Sequence, residues 1–162
     1  MGHVQRSVVV NAPPEEVFGL QVDTDRYGEW VDHFAGLDGE PAALAEGDSF
    51  RWRMKLWKLA FRLRSTVAAL DPPHRYQEEI RGLVRGALTK TVSPQKRRTQ
   101  LSWTLNYRVP GGPFGVAVDW LIAHRLADRA VLHSLQGAKR VLEAPKKPAT
   151  QRGGYRRQTA VR

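Results

Sequence analysis

From Ser49 to Val109 the chain alternates large apolar side chains with charged or polar ones. Phe50, Trp52, Met54 and Leu56 fall on one side of an extended backbone, and Arg51, Arg53 and Lys55 fall on the other. A period of two marks a strand with one buried face. Phe61, Leu63, Ser65, Val67 and Ala69 repeat the pattern opposite Arg62, Arg64 and Thr66. Beyond the turn at Asp71, Pro72 and Pro73, three more strands are predicted: His74 to Arg81, Leu83 to Val92 and Thr99 to Val109. In the last of these Leu101, Trp103, Leu105, Tyr107 and Val109 alternate with Ser102, Thr104, Asn106 and Arg108. Short connections make the antiparallel meander the simplest arrangement, apolar on one face and wet on the other.

A different period follows. Between Gly115 and Leu142 the residues Trp120, Ala123, Ala127, Ala130, Val131, Leu135, Ala138 and Leu142 recur on one broad side, while Arg125, Asp128, Arg129, Lys139 and Arg140 take the other. That spacing predicts a helix roughly 42 Å long that covers the apolar face of the sheet. Gly137 lowers helix propensity by about 1 kcal/mol, which points to a close contact or a bend at that position. Pro145 is the expected stop. Small side chains in the first half of this helix leave a gap against a curved sheet, and such a gap is a ligand pocket. The alternative is that Trp52, Trp103 and Trp120 fill it.

The amino-terminal part is shorter in its rhythms. Val4 to Val10 reads as a strand ended by Asn11-Ala12-Pro13-Pro14. Pro14 suits the first turn of a helix through Leu20, with Glu15 and Glu16 at its positive end. A second short helix is expected from Thr24 to Trp30, capped by Asp23 or Thr24, with Tyr27, Trp30 and Val31 forming an apolar patch. Neither is long enough to persist unpacked.

Composition narrows the reading. A chain of 162 residues with 41% apolar content suffices for one core. No apolar run approaches the roughly 20 residues that span a bilayer, and the amino end lacks the pattern of a secretion signal, so a cytoplasmic location is expected. The absence of cysteine excludes disulfides and thiolate chemistry. The formal charge is +10, but Lys146, Lys147, Arg152, Arg156, Arg157 and Arg162 supply six of those charges after Ala144. Residues 144–162 are expected to form a mobile basic tail beyond a folded domain of residues 1–143, able to make weak contact with an anionic surface.

The order of strand, two short helices, meander and long carboxyl-terminal helix resembles the polyketide cyclase/dehydrase and lipid-transfer superfamily, START-like and Bet v 1-like. The resemblance covers about residues 3–143. It is carried by VVVNAPPEEVFGLQVDTDRYGEW at Val8 to Trp30, AEGDSFRWRM at Ala45 to Met54, STVAALDPPHRYQEEIRG at Ser65 to Gly82, and RRTQLSWTLNYRV at Arg97 to Val109. It implies an α+β helix-grip fold, a curved antiparallel sheet of about seven strands wrapped around the last helix. It also implies a hydrophobic small molecule between sheet and helix: a lipid, a quinone-like compound or a polyketide. It implies no cofactor and brings no fixed catalytic motif.

Inward positions nominate the lining: Trp52, Met54, Leu63, Tyr76, Glu78, Leu88, Lys90, Trp103, Leu105 and Tyr107 from the sheet, with Trp120, Ala127 and Val131 from the helix. Two of these are anomalous. If Tyr76 and Ile80 point inward so does Glu78, and Lys90 shares a face with Val84, Leu88 and Val92. Unpaired buried charges are costly, so a Glu78–Lys90 pair across adjacent strands would resolve both. Glu78 is then the candidate acid or base of a cyclase or dehydratase. Tyr107 is either a donor to the same ligand or core. The histidines form no convincing metal set: His124 and His133 are nine apart and lie on opposite sides of a helix, and Asp32 with His33 needs a third ligand. Three readings stay open: a noncatalytic carrier, an aromatic cyclase or dehydratase, and a nucleic-acid or anionic-membrane adaptor acting through the basic tail.

Overall fold

In a computed structural model of the chain, residues 1–39, 44–56, 58–109, 112–113, 117 and 122–145 are described. Strand β1 (Gly2–Val10) leads into helix α1 (Pro14–Val22), a 3-10 turn (Thr24–Arg26) and the short helix α2 (Tyr27–Trp30). Six strands follow: β2 (Phe34–Leu37), β3 (Ser49–Leu56), β4 (Leu59–Asp71), β5 (Arg75–Arg81), β6 (Arg85–Gln95) and β7 (Arg98–Arg108). The last helix, α3, runs over His124–Glu143.

All seven strands form one antiparallel sheet in the order β1-β7-β6-β5-β4-β3-β2. The meander therefore runs from β2 to β7, and β1 returns to close its far edge. Period-two patterning is realised in β3, where alternate residues from Phe50 to Leu56 are half-buried between exposed neighbours. The α+β helix-grip architecture is the one the sequence predicts. β2 has no alternating run long enough to reveal it; four residues pair with β3 only through Phe34–Met54 and Leu37–Trp52.

One expected position is corrected. The register of β4 against β5 slips between Val67 and Ala69, so that Val67 faces Glu78 while Ala69 faces Gln77 and Leu70 faces Tyr76. An extra residue reverses every later side chain. Leu70, not Ala69, therefore packs against the core, opposite the fully buried Tyr76. Other differences are small. Asp23 and Thr24 make no side-chain cap bond, and the short helix is held instead by burial of Tyr27 and Trp30.

Helix α3 lies on the concave face and is pinned at both ends. Asp128 pairs with Arg6 of β1 at 2.8 Å. At the other end Lys139 Nζ donates to the Val9 carbonyl at 2.6 Å, and Glu143 accepts from the Asn11 backbone N–H at 2.8 Å. Asp128 and Lys139, expected to face water, are thus half-buried staples between helix and strand. The helix stops at Glu143 with Ala144 extended ahead of Pro145, as the backbone restriction before proline requires. The part of the expected helix before Ile122 lies mostly outside the described residues, and the basic tail from Lys146 onward lies outside them too.

At Gly137 the backbone of α3 packs closely against α2. A Cβ built there would overlap the Trp30 carbonyl oxygen and crowd the Trp30 Cα at 3.1 Å. Helix propensity alone favours Gly137→Ala by about 1 kcal/mol. Overpacking against backbone instead costs about 1–3 kcal/mol, so the variant is expected to unfold at lower urea concentration than the native chain. A raised midpoint would mean that α3 does not sit this close to α2.

Candidate functional site

The wall of the site is built from the alternation already described. Apolar residues of β3 to β7 point onto the concave face, and α3 lies over one side of it. Between them is a cavity of about 440 Å³. Its sheet wall includes Trp52, Met54, Leu63, Leu88, Trp103, Leu105 and Tyr107, and its helix wall includes Ala123, Ala127, Ala130 and Val131. The alanines do what their size dictates, because a side chain of one carbon cannot reach the sheet.

Trp52 and Trp103 do not fill the gap. Trp52 donates its indole N–H to Ser65 Oγ at 3.0 Å and stacks on Phe34, with ring centroids 6.1 Å apart. Trp103 donates to Gln21 Oε1 at 3.1 Å and packs edge-on against Trp30 at 5.6 Å. A buried indole N–H needs an acceptor, and in both cases that acceptor holds the ring against the wall. Trp120 lies outside the described residues.

Glu78 and Lys90 both face inward. Their register is diagonal, since Tyr76 pairs with Lys90 and Glu78 with Leu88. The Lys90 Nζ lies 3.5 Å from Glu78 Oε1, with both side chains buried. The other Glu78 oxygen accepts from the Tyr76 hydroxyl at 3.2 Å. Lys90 also donates to the Tyr27 hydroxyl at 3.4 Å, and the Tyr27 hydroxyl donates to the Gln21 backbone carbonyl at 2.8 Å. Four rings surround the ammonium: Tyr76 at 4.7 Å, Trp103 at 4.9 Å, Tyr27 at 5.1 Å and Trp30 at 5.8 Å.

Burial pushes the Lys90 ammonium below the ordinary lysine value, and the Glu78 carboxylate opposes that shift. Burial, reinforced by Glu78, holds the Tyr27 and Tyr76 phenols well above theirs, so both remain neutral donors. The ring faces favour the cation by about 0.5–2 kcal/mol each. The result is a paired Lys90–Glu78 cluster, hydrogen-bonded to Tyr76 and Tyr27, in a mostly apolar chamber that Asp32, His33 and Ser134 also line.

Of the nominated lining, only Tyr76 stands off the cavity among the described residues: it is fully buried behind Lys90 and Glu78 and supports them. Several lining residues had no signal in the strand pattern. Tyr27 and Phe34 come from segments too short for a period, and Leu126 and Ser134 sit beside the predicted helical stripe. Asp32 does meet a third group, since its Oδ2 lies 3.3 Å from His33 Nε2 and 3.4 Å from His133 Nδ1. No set of three potential metal ligands converges among the described residues.

A curved sheet gripping a helix around an apolar chamber defines the helix-grip class. Residues 1–143 match the family described as polyketide cyclase / dehydrase and lipid transport. The chain belongs to that family. Solved structures of the same fold include TTHA0849 of Thermus thermophilus, 21% identical with TM-score 0.73, covering 90% of this chain and 99% of that one. Protein CV1439 of Chromobacterium violaceum, 17% identical with TM-score 0.72, covers 90% and 100%. A START superfamily protein of Mycobacterium smegmatis, 16% identical with TM-score 0.66, covers 88% and 98%. In sequence, two uncharacterised proteins of Mycobacterium tuberculosis are 40% identical over 74 residues, which is 44% of this chain. The chain spans about a third of the length of these curated relatives, 33%.

The cluster makes a quantitative prediction. Lys90→Met leaves the Glu78 carboxylate buried with Tyr76 alone, and losing one partner of a buried pair costs about 3–5 kcal/mol. Adding Glu78→Gln removes the stranded charge, so the double variant is expected to be more stable in urea than Lys90→Met by at least about 1 kcal/mol. Strict additivity of the two changes would contradict the pairing.

Proposed function

We propose that this protein binds and carries a hydrophobic small molecule, a lipid or a quinone-like or polyketide-like compound, in the chamber between sheet and α3. The observation that carries the reading is the contrast between a mostly aliphatic and aromatic wall and the buried charged pair of Lys90 and Glu78 set into it. An ammonium has three donors. Glu78 and Tyr27 engage two of them, which leaves one for an oxygen on the guest. A molecule with a long apolar body and one carbonyl, phenol or carboxylate end suits that division.

The same cluster bears on a catalytic reading. Glu78 lines the chamber and is the candidate acid or base of a cyclase or dehydratase. Its two oxygens are already engaged, one by Lys90 and one by Tyr76. That arrangement supports orientation of a guest over proton transfer to it. In a catalytic version Glu78→Gln would abolish turnover of an unsaturated polyketide while sparing its affinity.

The test uses a dansyl-labelled fatty acid, whose emission rises on leaving water. The native chain is expected to bind it. Ala127→Trp puts an indole into the chamber from α3 and is expected to weaken binding at least about tenfold, a change of about 1.4 kcal/mol, with the cooperative thermal transition retained. Equal affinity in the two proteins would place the probe elsewhere and overturn the reading.

A further inference from the structure

The convex face of the sheet carries an arrangement that no fold requirement explains. Arg51 of β3 lies directly opposite Arg64 of β4, and Arg64 lies directly opposite Arg81 of β5. Across the next hairpin the last pair is Ile80 with Gly86, so Arg81 and Arg85 come next in register. Arg85 in turn faces Arg108 of β7. One arginine from each of five consecutive strands therefore stands in a single row, and all five are exposed. Adjacent strands lie about 4.8 Å apart, so the row is roughly 19 Å long.

Like charges directly opposite one another destabilise a sheet. Little offsets that here. Arg81 has Glu79 at 3.5 Å, and the other four make no ion pair among the described residues. A second step, Arg53 opposite Arg62, continues the charge toward the β3–β4 turn and shares only Asp38, at 3.1 and 3.5 Å.

The β3–β4 and β5–β6 turns at this end of the sheet, and the segment leading into α3, carry exposed apolar side chains. Leu59 at the β3–β4 turn is 61% exposed, Leu83 in the β5–β6 turn 40%, and Ile122 just ahead of α3 49%. All three also line the chamber, so they form its rim. Arg81 and Arg85 flank the turn that bears Leu83.

We infer that this end of the molecule docks on an anionic lipid bilayer, with the arginine row on the headgroups and Leu59, Leu83 and Ile122 entering the interface. Nucleic acid would satisfy the charge, but it gives aliphatic rim residues no partner. A bilayer surface satisfies both, since it offers negative headgroups above an apolar layer. Docking in this pose turns the rim of the chamber toward the membrane. The inference needs only the row and the rim. Vesicle binding can fail while the fatty-acid probe still binds, and the reverse also holds.

The experiment is co-sedimentation of the full chain, tail included, with phosphatidylcholine vesicles that contain or lack phosphatidylglycerol. Binding is expected only to the anionic vesicles, and it should weaken as salt rises. The triple variant Arg51→Gln, Arg64→Gln, Arg81→Gln is expected to lose about a hundredfold in partition, at roughly fivefold per removed cation. Its thermal stability should equal or exceed that of the native chain, because opposed charges are relieved. Leu59→Asn with Leu83→Asn should weaken partition while leaving the row intact. Undiminished vesicle binding by the triple variant, with loss only on deleting residues 146–162, would assign the contact to the tail and overturn the inference. Equal binding to neutral vesicles would overturn it as well, as would a preference for a single-stranded oligonucleotide over anionic vesicles.

Discussion

The chamber depends on how α3 is held: tied to the β1 edge near both ends, packed against α2 at Gly137, and bearing short side chains where it faces the sheet. Gly137 lets the helix backbone reach Trp30, and Lys139 and Glu143 tie that end to β1 and the segment after it. Toward the other end Ala130, Ala127 and Ala123 face the sheet with side chains too short to cross the space. A rigid helix fixed in this way cannot settle onto the sheet along its whole length. The gap follows from side-chain size on one face of one helix.

Within that gap the buried Lys90–Glu78 pair defines direction. Lys90 is held by a carboxylate, a phenol and four ring faces, and the partners come from three separate elements. Tyr27 and Trp30 belong to α2, Tyr76 and Glu78 to β5, and Trp103 to β7. Gln21 joins α1 to the same set through Tyr27 and Trp103. The short helices, marginal in isolation, are thereby tied to the sheet at the point where the chamber is polar. Burying charge is costly unless it is paired and hydrogen-bonded, and this cluster meets both conditions.

Much of the fold was legible because period and composition act locally. The faces of β3, the start of α1 at Pro14, the stop before Pro145 and the tight contact at Gly137 all follow from residues near one another in the chain. The Glu78–Lys90 pair was legible for a different reason: two charges at inward positions have few resolutions, and adjacent strands offer one. Where the reading failed, the missing quantity was register. The bulge that exchanges Ala69 for Leu70 leaves no mark in an apolar run. The arginine row is likewise invisible in the sequence, where Arg51, Arg64, Arg81, Arg85 and Arg108 each look like an ordinary solvated position. Contacts of Tyr27 and Gln21 with Lys90 and Trp103 join residues more than 60 positions apart, 63 and 82, and no periodicity encodes them.

The central claim is that an apolar guest lies between the sheet and α3 with its polar end at Lys90. Isotope-filtered NMR tests it most directly, using labelled protein and an unlabelled long-chain fatty acid. Chain protons of the fatty acid are expected to show Overhauser contacts to the methyl groups of Leu88, Leu105 and Ala127, and the Lys90 side-chain resonances should shift on binding. Contacts confined to exposed methyls such as Leu59, with none to Leu88 or Ala127 at saturating ligand, would contradict the account.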